Sequence, residues 1–93
     1  MRFLVNSQLV DGVSREQFVT YVDDHPVTSS TWDLIRHRVV TEWAFKVGDQ
    51  PGVMCFMDVE NEAAAREIID ALPVVANGML TFQVEPLSAI ARF

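Results

Sequence analysis

Apolar and polar residues alternate along two stretches of the chain, and short apolar runs mark two more. Residues Phe3 to Leu9 and Val39 to Val47 alternate with a period of two, which is typical of strands with one buried face. Val53 to Val59 and Met79 to Val84 are short β-rich runs bounded by acidic or turn residues. The pattern therefore predicts four strands. The turn residues Gly48-Asp49-Gln50-Pro51-Gly52 predict a hairpin between the second and the third.

A first helix is predicted between the first two strands. Ser14 and Gln17 have the spacing of a capping box, so the helix begins near Arg15. Pro26 has no amide hydrogen to donate, and it is expected to end or kink the helix. The expected buried stripe consists of Phe18, Val19 and Val22, with Tyr21 beside it.

A second helix is predicted between the last two strands. Asn61 is a suitable N-cap, and Glu62 lies in the first turn, where the helix dipole favours negative charge. Pro73 stops the helix, and Asn77-Gly78 supplies a turn before the last strand. One apolar stripe with helical spacing faces the sheet: Ala65, Ile68, Ile69 and Leu72.

A further helical segment is predicted over residues 31–38. Ser30 is its expected N-cap, and Asp33 lies in its first turn. The segment is expected to turn Trp32 and Ile35 inward.

The order of elements is β-α-(α)-β-β-α-β, which predicts an α+β domain of the ferredoxin-like class spanning residues 1–93. Its sheet has four antiparallel strands with both helices on one face. The other face also carries apolar residues, so we expect it to pack against the same face of a partner subunit and to close a barrel-like dimer. The expected assembly is a homodimer or a larger homo-oligomer.

Composition and charge exclude several classes of protein. The chain is 49% hydrophobic and 22% charged, which is typical of a folded domain, and no apolar run approaches the ~18 residues that span a bilayer. The net charge is −6 and the seven Lys and Arg are scattered, so we expect neither a nucleic acid nor a membrane as partner. A polar N-terminus and a single Cys55 predict a cytoplasmic protein.

Metal and nucleophile chemistry have little support in the sequence. His25, His37, Cys55 and Asp24 lack the close ligand pairings of metal sites, so we expect no metal and no other cofactor. Cys55 is expected to be a small core residue. Lys46, the only lysine, lies near a strand end and is expected to be solvated.

Several candidate catalytic residues lie in the sequence between Tyr21 and Trp43. The imidazole of His25 can exchange protons with an enolisable carbon, and Arg36 can hold a carboxylate or a developing enolate oxygen. The structural alternatives are that His25 caps the first helix and that His37 lies on the surface.

Glu42 is the second candidate for an acid or base. Its predicted neighbours on the same face of the strand are Val40 and Ala44, so we expect it to point into an apolar region, where burial suits it to act as a base. The alternative is a surface glutamate paired with an arginine.

Several other side chains are candidates for binding a substrate. Asn6 shares a strand face with Leu4 and Gln8, where it either lines a cavity or is simply part of the strand. Trp32 and Trp43 form either part of the core or a platform for a ligand. The expected substrate-binding residues are Tyr21, Trp43, Asn6, Trp32 and His37.

The C-terminal part of the chain resembles a known family. The segment FMDVENEAAAREIIDALPVVANGMLTFQVEPL combines an acidic strand end, an alanine-rich helix closing in Ala-Leu-Pro, a short turn and a last strand closing in Glu-Pro-Leu. In these features residues 53–87 resemble the C-terminal half of muconolactone isomerase and its relatives, which are dimeric α+β barrels with a ferredoxin-like fold.

The resemblance implies a cofactor-free isomerase of aromatic compound metabolism. Such an enzyme shifts a double bond by proton transfer in a small unsaturated lactone or cyclic carbonyl compound. In this chain, Glu42 or His25 would carry the proton and Arg36 would hold an anionic group. One alternative is a cofactor-independent monooxygenase or cyclase acting on a polycyclic aromatic through Asn6, Trp43 and His25. The other is a non-catalytic dimeric module that binds a small molecule or supports a partner enzyme.

Overall fold

A computed structural model describes residues 1–25 and 29–88, and their elements follow the predicted order. The strands are β1 (Arg2–Leu9), β2 (Val40–Lys46), β3 (Gly52–Asp58) and β4 (Leu80–Leu87). The helices are α1 (Arg15–Asp24), α2 (Ser29–Arg36), α3 (Glu62–Asp70) and the single turn α4 (Pro73–Ala76). Pro26, predicted to end the first helix, lies outside the described residues, but α1 does end just before it, with His25 as its C-cap.

The four strands form one antiparallel sheet in the order β2-β3-β1-β4. Each strand of the central pair, β3 and β1, is bonded on both sides. This order, combined with the β-α-β-β-α-β sequence of the main elements, confirms the predicted ferredoxin-like α+β class. None of the helices in the described part of the chain is long and apolar enough to cross a bilayer.

One face of the sheet carries the core, and the helices cover it. The core side chains come from β1, β3 and β4 together with α1 and α3: Phe3, Val5, Leu9, Phe18, Cys55, Met57, Ala65, Ile69, Leu80 and Phe82. The opposite face, called here the free sheet face, presents Leu4, Ala44, Met54 and Phe56. The alternation of side chains along β1 is as predicted, and both helices lie on one face.

The predicted helix starts of α1 and α3 are confirmed. The Ser14 hydroxyl accepts from the Gln17 amide at 3.1 Å, and the Gln17 side chain accepts from the Ser14 amide at 2.8 Å. At α3 the Asn61 side chain accepts from the Ala64 amide at 2.8 Å. Pro73 ends the predicted helix and also begins α4, because a proline at the first helical position loses no intrahelical bond.

The expected buried stripe of α1 is only partly correct. Phe18 and Tyr21 face the sheet, whereas Val19 is 40% exposed and Val22 is 43% exposed. Tyr21 follows Phe18 by three positions, so both project from one side of the helix, and Val19 lies about 100° away from Phe18.

The predicted bounds of α2 are also corrected. The helix already includes Ser29 and Ser30, so Ser30 is not its N-cap, and Trp32, expected inward, is 45% exposed. The helix ends at Arg36 because Arg38 adopts a left-handed conformation with φ of 59°. The amides of Arg38 and Val39 then bond back to the carbonyls of Ile35 and Leu34, which is the Schellman pattern.

A β-bulge in β2 changes which residues share a face. Val40 pairs with Met57 and Glu42 pairs with Phe56, so two residues of β2 oppose one residue of β3. Val40 consequently lies on the helix-covered face together with Trp43, and Glu42 lies on the free sheet face. The expectation that Val40 flanks Glu42 on one face was therefore wrong, because a strict period of two does not hold across a bulge.

Candidate active site

A cavity of about 700 Å³ lies between the helices and the covered face of the sheet. Side chains from α1, α2, α3, β2 and β3 line it, and most of them are apolar. This volume is within the range of ~300–1,000 Å³ that binding sites for small molecules occupy. The polar or ionisable side chains among its lining residues, tryptophans apart, are Tyr21, Asp24, His25, Thr31, Lys46, Cys55 and Asn77.

The His25 ring is held in one orientation at the end of α1. Its Nδ1 lies 2.9 Å from the carbonyl oxygen of Tyr21, one helical turn earlier. Its ring stacks on the Tyr21 ring, with centroids 4.2 Å apart and an angle of 16° between the planes. A carbonyl oxygen can only accept a hydrogen bond, so Nδ1 must carry a hydrogen, and the neutral ring keeps its lone pair on Nε2. His25 thus caps the helix end, and it is exposed at the edge of the cavity that it helps to line.

The Tyr21 hydroxyl is fixed by a residue from a distant part of the chain. Asn77, the C-cap of α4, donates a hydrogen bond from Nδ2 to Tyr21 Oη at 2.8 Å. Tyr21 itself is buried, with 9% of its surface exposed. This bond links α1 to α4 across one end of the cavity.

Three aromatic side chains form a wall of the cavity along β2 and α2. The Trp43 ring meets Phe45 edge to face, with centroids 4.8 Å apart and an interplanar angle of 77°. Trp32 approaches Trp43 in a similar way at 6.3 Å. Both tryptophans keep more than two fifths of their surface exposed, so this wall is open to solvent. Such a surface suits the face or edge of a planar ring.

Cys55 lies in the sheet under the cavity. Burial raises the pKa of its thiol to about 11, because the thiolate would be poorly solvated there. The thiol is therefore protonated at neutral pH, and this agrees with its expected place in the core rather than with a nucleophilic role.

Four of the predicted site residues do not line this cavity. Glu42 is exposed on the free sheet face, beside a small depression of about 190 Å³. Asn6 lies on the same face, and its side-chain oxygen accepts from Lys46 Nζ at 3.2 Å. Arg36 is exposed and paired with Asp33 at 2.8 Å, and His37 is exposed next to it. The structure brings together His25, Tyr21, Trp32 and Trp43.

Sequence reasoning missed three polar residues that line the cavity: Thr31, Lys46 and Asn77. Asn77 was interpreted only as a turn residue, since nothing in an Asn-Gly pair reveals what its side chain contacts. Lys46 is half-buried rather than solvated, because its ammonium group also donates to the Ser7 carbonyl oxygen. Within residues 1–25 and 29–88, no three His, Cys, Asp or Glu side chains converge as metal ligands would.

Comparison with known proteins shows a strong likeness in structure but none in sequence. No protein-family model matches the chain, and no curated protein matches its sequence. Among solved structures, the chain is similar to 5-chloro-2-hydroxyhydroquinone dehydrochlorinase (TftG) from Burkholderia phenoliruptrix AC1100, in complex with 2,5-dihydroxybenzoquinone. The TM-score is 0.66 at 14% sequence identity, covering 95% of this chain and 94% of that chain. At such low identity the likeness shows a shared fold.

Proposed function

We propose that this chain is a cofactor-free enzyme that moves a proton on a small unsaturated cyclic carbonyl compound, with a lactone as the first candidate. The observation that carries the proposal is the fixed His25 ring. Its Nδ1 donates to the Tyr21 carbonyl oxygen, and this leaves Nε2 as the basic atom of a residue that lines a mainly apolar cavity.

The proposed reaction needs only one group that accepts and returns a proton. His25 Nε2 removes a proton from the carbon beside the carbonyl, so a C–H bond breaks, an N–H bond forms and an enolate results. The same N–H then returns the proton to a carbon further along the conjugated system, and the double bond moves. No electrons are gained or lost, and no redox partner is required.

Two further observations support this class of substrate. The wall formed by Trp32, Trp43 and Phe45 suits a planar ring. The structurally similar TftG binds 2,5-dihydroxybenzoquinone, which is a planar ring with carbonyl oxygens. The resemblance of residues 53–87 to muconolactone isomerase makes muconolactone the first compound to test.

We assign proton transfer to His25 rather than to Glu42, and we give Arg36 no role. All three residues are exposed, but only His25 is among the residues that line the cavity. The monooxygenase alternative depends partly on Asn6, which lies on the free sheet face. Proton transfer by His25 is accordingly the activity that the geometry favours.

The test is proton NMR of muconolactone and simple unsaturated lactones in heavy water, with and without the protein. We expect deuterium to enter beside the carbonyl and the double bond to migrate. His25→Gln should slow this exchange by about 100-fold or more, as loss of a general base does. His37→Gln is the matched control, because this second histidine is exposed outside the cavity.

Two results would contradict the proposal in different ways. Unchanged spectra over the whole panel would exclude the isomerase activity. Exchange that survives in His25→Gln but is lost in Glu42→Gln would instead move the proton-transfer role to Glu42. Oxygen uptake with polycyclic phenols would identify the monooxygenase alternative.

A second candidate function is a non-catalytic module that binds a planar small molecule. The open aromatic wall favours it, since stacking alone can hold such a ring. Saturable quenching of tryptophan fluorescence by the lactones, without any deuterium exchange, would be the sign of this function.

We also propose that the chain forms a homodimer through the free sheet face. Leu4, Ala44, Met54 and Phe56 form an apolar part of this face, and Met54 is 41% exposed in the single chain. A sheet with apolar side chains on both faces is stabilised when the second face is also covered.

A further inference from the structure

We propose that the Tyr21 hydroxyl donates a hydrogen bond to a carbonyl, enolate or phenolate oxygen of the ligand, and that Asn77 is a positioning residue which keeps this hydroxyl hydrogen available. The inference rests on the proposed function, since it names the ligand group that the same cavity recognises. It assigns roles to two residues that form one polar contact within a largely apolar site.

The hydrogen bond between Asn77 and Tyr21 has a defined direction. Asn77 Nδ2 donates to Tyr21 Oη at 2.8 Å, so the phenol oxygen acts as the acceptor. A phenol also has one hydrogen to donate, and an amide nitrogen cannot accept it. Within the described part of the chain, Asn77 is the only hydrogen-bond partner of this hydroxyl. The hydroxyl hydrogen is therefore available to a ligand.

An oxygen atom of the ligand is the acceptor that best suits the surroundings of the Tyr21 hydroxyl. Tyr21 is buried among apolar lining residues, where a hydrogen bond is stronger than in water and an unsatisfied donor is costly. A ligand oxygen entering this cavity loses its own water, and it regains a hydrogen bond from Tyr21. Oxygen-bearing rings are thereby favoured over plain hydrocarbons of the same shape.

Backbone hydrogen bonds hold Asn77 in a position from which its side chain can orient the Tyr21 hydroxyl. Its backbone amide donates to the Pro73 and Val75 carbonyl oxygens, so the residue is anchored at the end of α4. Its side chain reaches a residue 56 positions away in sequence. Loss of the amide would free the phenol to turn its hydrogen elsewhere without removing the phenol itself.

Tyr21 also connects the binding of the ligand oxygen with the proposed proton transfer by His25. The His25 ring stacks on the Tyr21 ring and bonds to the Tyr21 carbonyl. When Nε2 removes a proton beside a carbonyl, the electron pair of the broken C–H bond passes to the oxygen as an enolate. A hydrogen bond from Tyr21 to that oxygen becomes stronger as the negative charge develops.

The test uses binding and a vibrational signal, so it does not depend on turnover. The probes are 2-cyclohexenone and cyclohexene, which differ in the carbonyl oxygen, and binding is followed through tryptophan fluorescence. Tyr21→Phe should weaken 2-cyclohexenone binding about 2- to 10-fold, the effect of one neutral hydrogen bond, and leave cyclohexene binding unchanged. The carbonyl stretch of bound 2-cyclohexenone should lie at lower frequency in the wild type than in Tyr21→Phe.

Separate variants test the positioning role of Asn77. Asn77→Leu keeps the volume but removes the donor, and it should lose much of the frequency shift although Tyr21 remains. Asn77→Gln should restore part of that shift. Gln83→Leu is the control, since it removes an exposed amide from β4 on the face away from the helices. Circular dichroism confirms that each variant is folded.

Equal affinity of wild type and Tyr21→Phe for 2-cyclohexenone, or failure of the probe to bind, would overturn the inference. So would an unshifted carbonyl frequency. These results are separate from those of the lactone experiment: proton exchange can fail while Tyr21 still binds the carbonyl, and His25 can exchange protons without Tyr21.

Discussion

Gly52 lies at the start of β3 beside a buried hydrogen bond, and alanine at this position is expected to destabilise the fold. A Cβ atom built on Gly52 would be 2.1 Å from Ser7 Oγ, far inside van der Waals contact. Ser7 is only 1% exposed, and its hydroxyl accepts from the Val53 amide at 2.8 Å. The added methyl group therefore competes directly with this hydrogen bond.

The magnitude follows from the two ways in which the clash can be relieved. If the Ser7 hydroxyl rotates away, the Val53 amide loses its partner, which costs about 1–3 kcal/mol. If the backbone moves instead, overpacking costs about 1–3 kcal/mol. Replacing glycine also restricts the unfolded chain, which offsets about 0.4–1 kcal/mol. From the middle of each range, a cost of about 2 kcal/mol less an offset of about 0.7 kcal/mol, we expect Gly52→Ala to lower the free energy of unfolding by about 1.3 kcal/mol.

A double-mutant cycle with Ser7→Ala tests the cause of this loss. Without Oγ, the nearest atom to the new methyl group is the Cβ of residue 7, at 3.4 Å, which is an ordinary contact. Gly52→Ala should then cost almost nothing in the Ser7→Ala background, although Ser7→Ala is itself destabilising. The coupling between the two changes should be about 1–3 kcal/mol.

The assay is urea unfolding followed by tryptophan fluorescence at one fixed protein concentration, because self-association would make the midpoint depend on concentration. A Gly52→Ala protein as stable as the wild type would refute the packing argument. Strictly additive effects of the two substitutions would refute the assignment of the clash to Ser7 Oγ.

Two further predictions concern Cys55 and the free sheet face. Since the pKa of Cys55 is about 11 when folded and about 8.5 when unfolded, its contribution to stability is full below pH ~8.5 and is lost as the pH rises through ~11. At pH 8 a thiol reagent should react at least ~10-fold faster in urea, and equal rates would contradict burial. Phe56→Glu should convert the proposed homodimer into a monomer by light scattering, and a monomeric wild type would exclude the dimer.

Local signals in the sequence were sufficient to predict most of the fold. The capping box at Ser14 and Gln17 and the N-cap at Asn61 act within one turn of a helix, so residue type and spacing determine them. The alternation along β1 also follows from neighbours in sequence, because this central strand has one buried face throughout.

The candidate site was less predictable because long-range contacts build it. The bond between Asn77 and Tyr21 joins the C-cap of α4 to α1, which only the complete fold brings together. Glu42 was assigned by a regular alternation that the bulge in β2 interrupts. His25 and the aromatic residues were proposed from their side-chain chemistry alone, and they do line the cavity.

The bulge in β2 also has an evolutionary consequence. Thr41 and Glu42 together occupy the place opposite Phe56 that one residue would fill in a regular strand. A relative could therefore lack one residue at this point and still present the counterparts of Val40 and Trp43 on the same side of its sheet. Any alignment of such relatives should open a gap of one position here, and an ungapped alignment would match Trp43 with a residue of the wrong face.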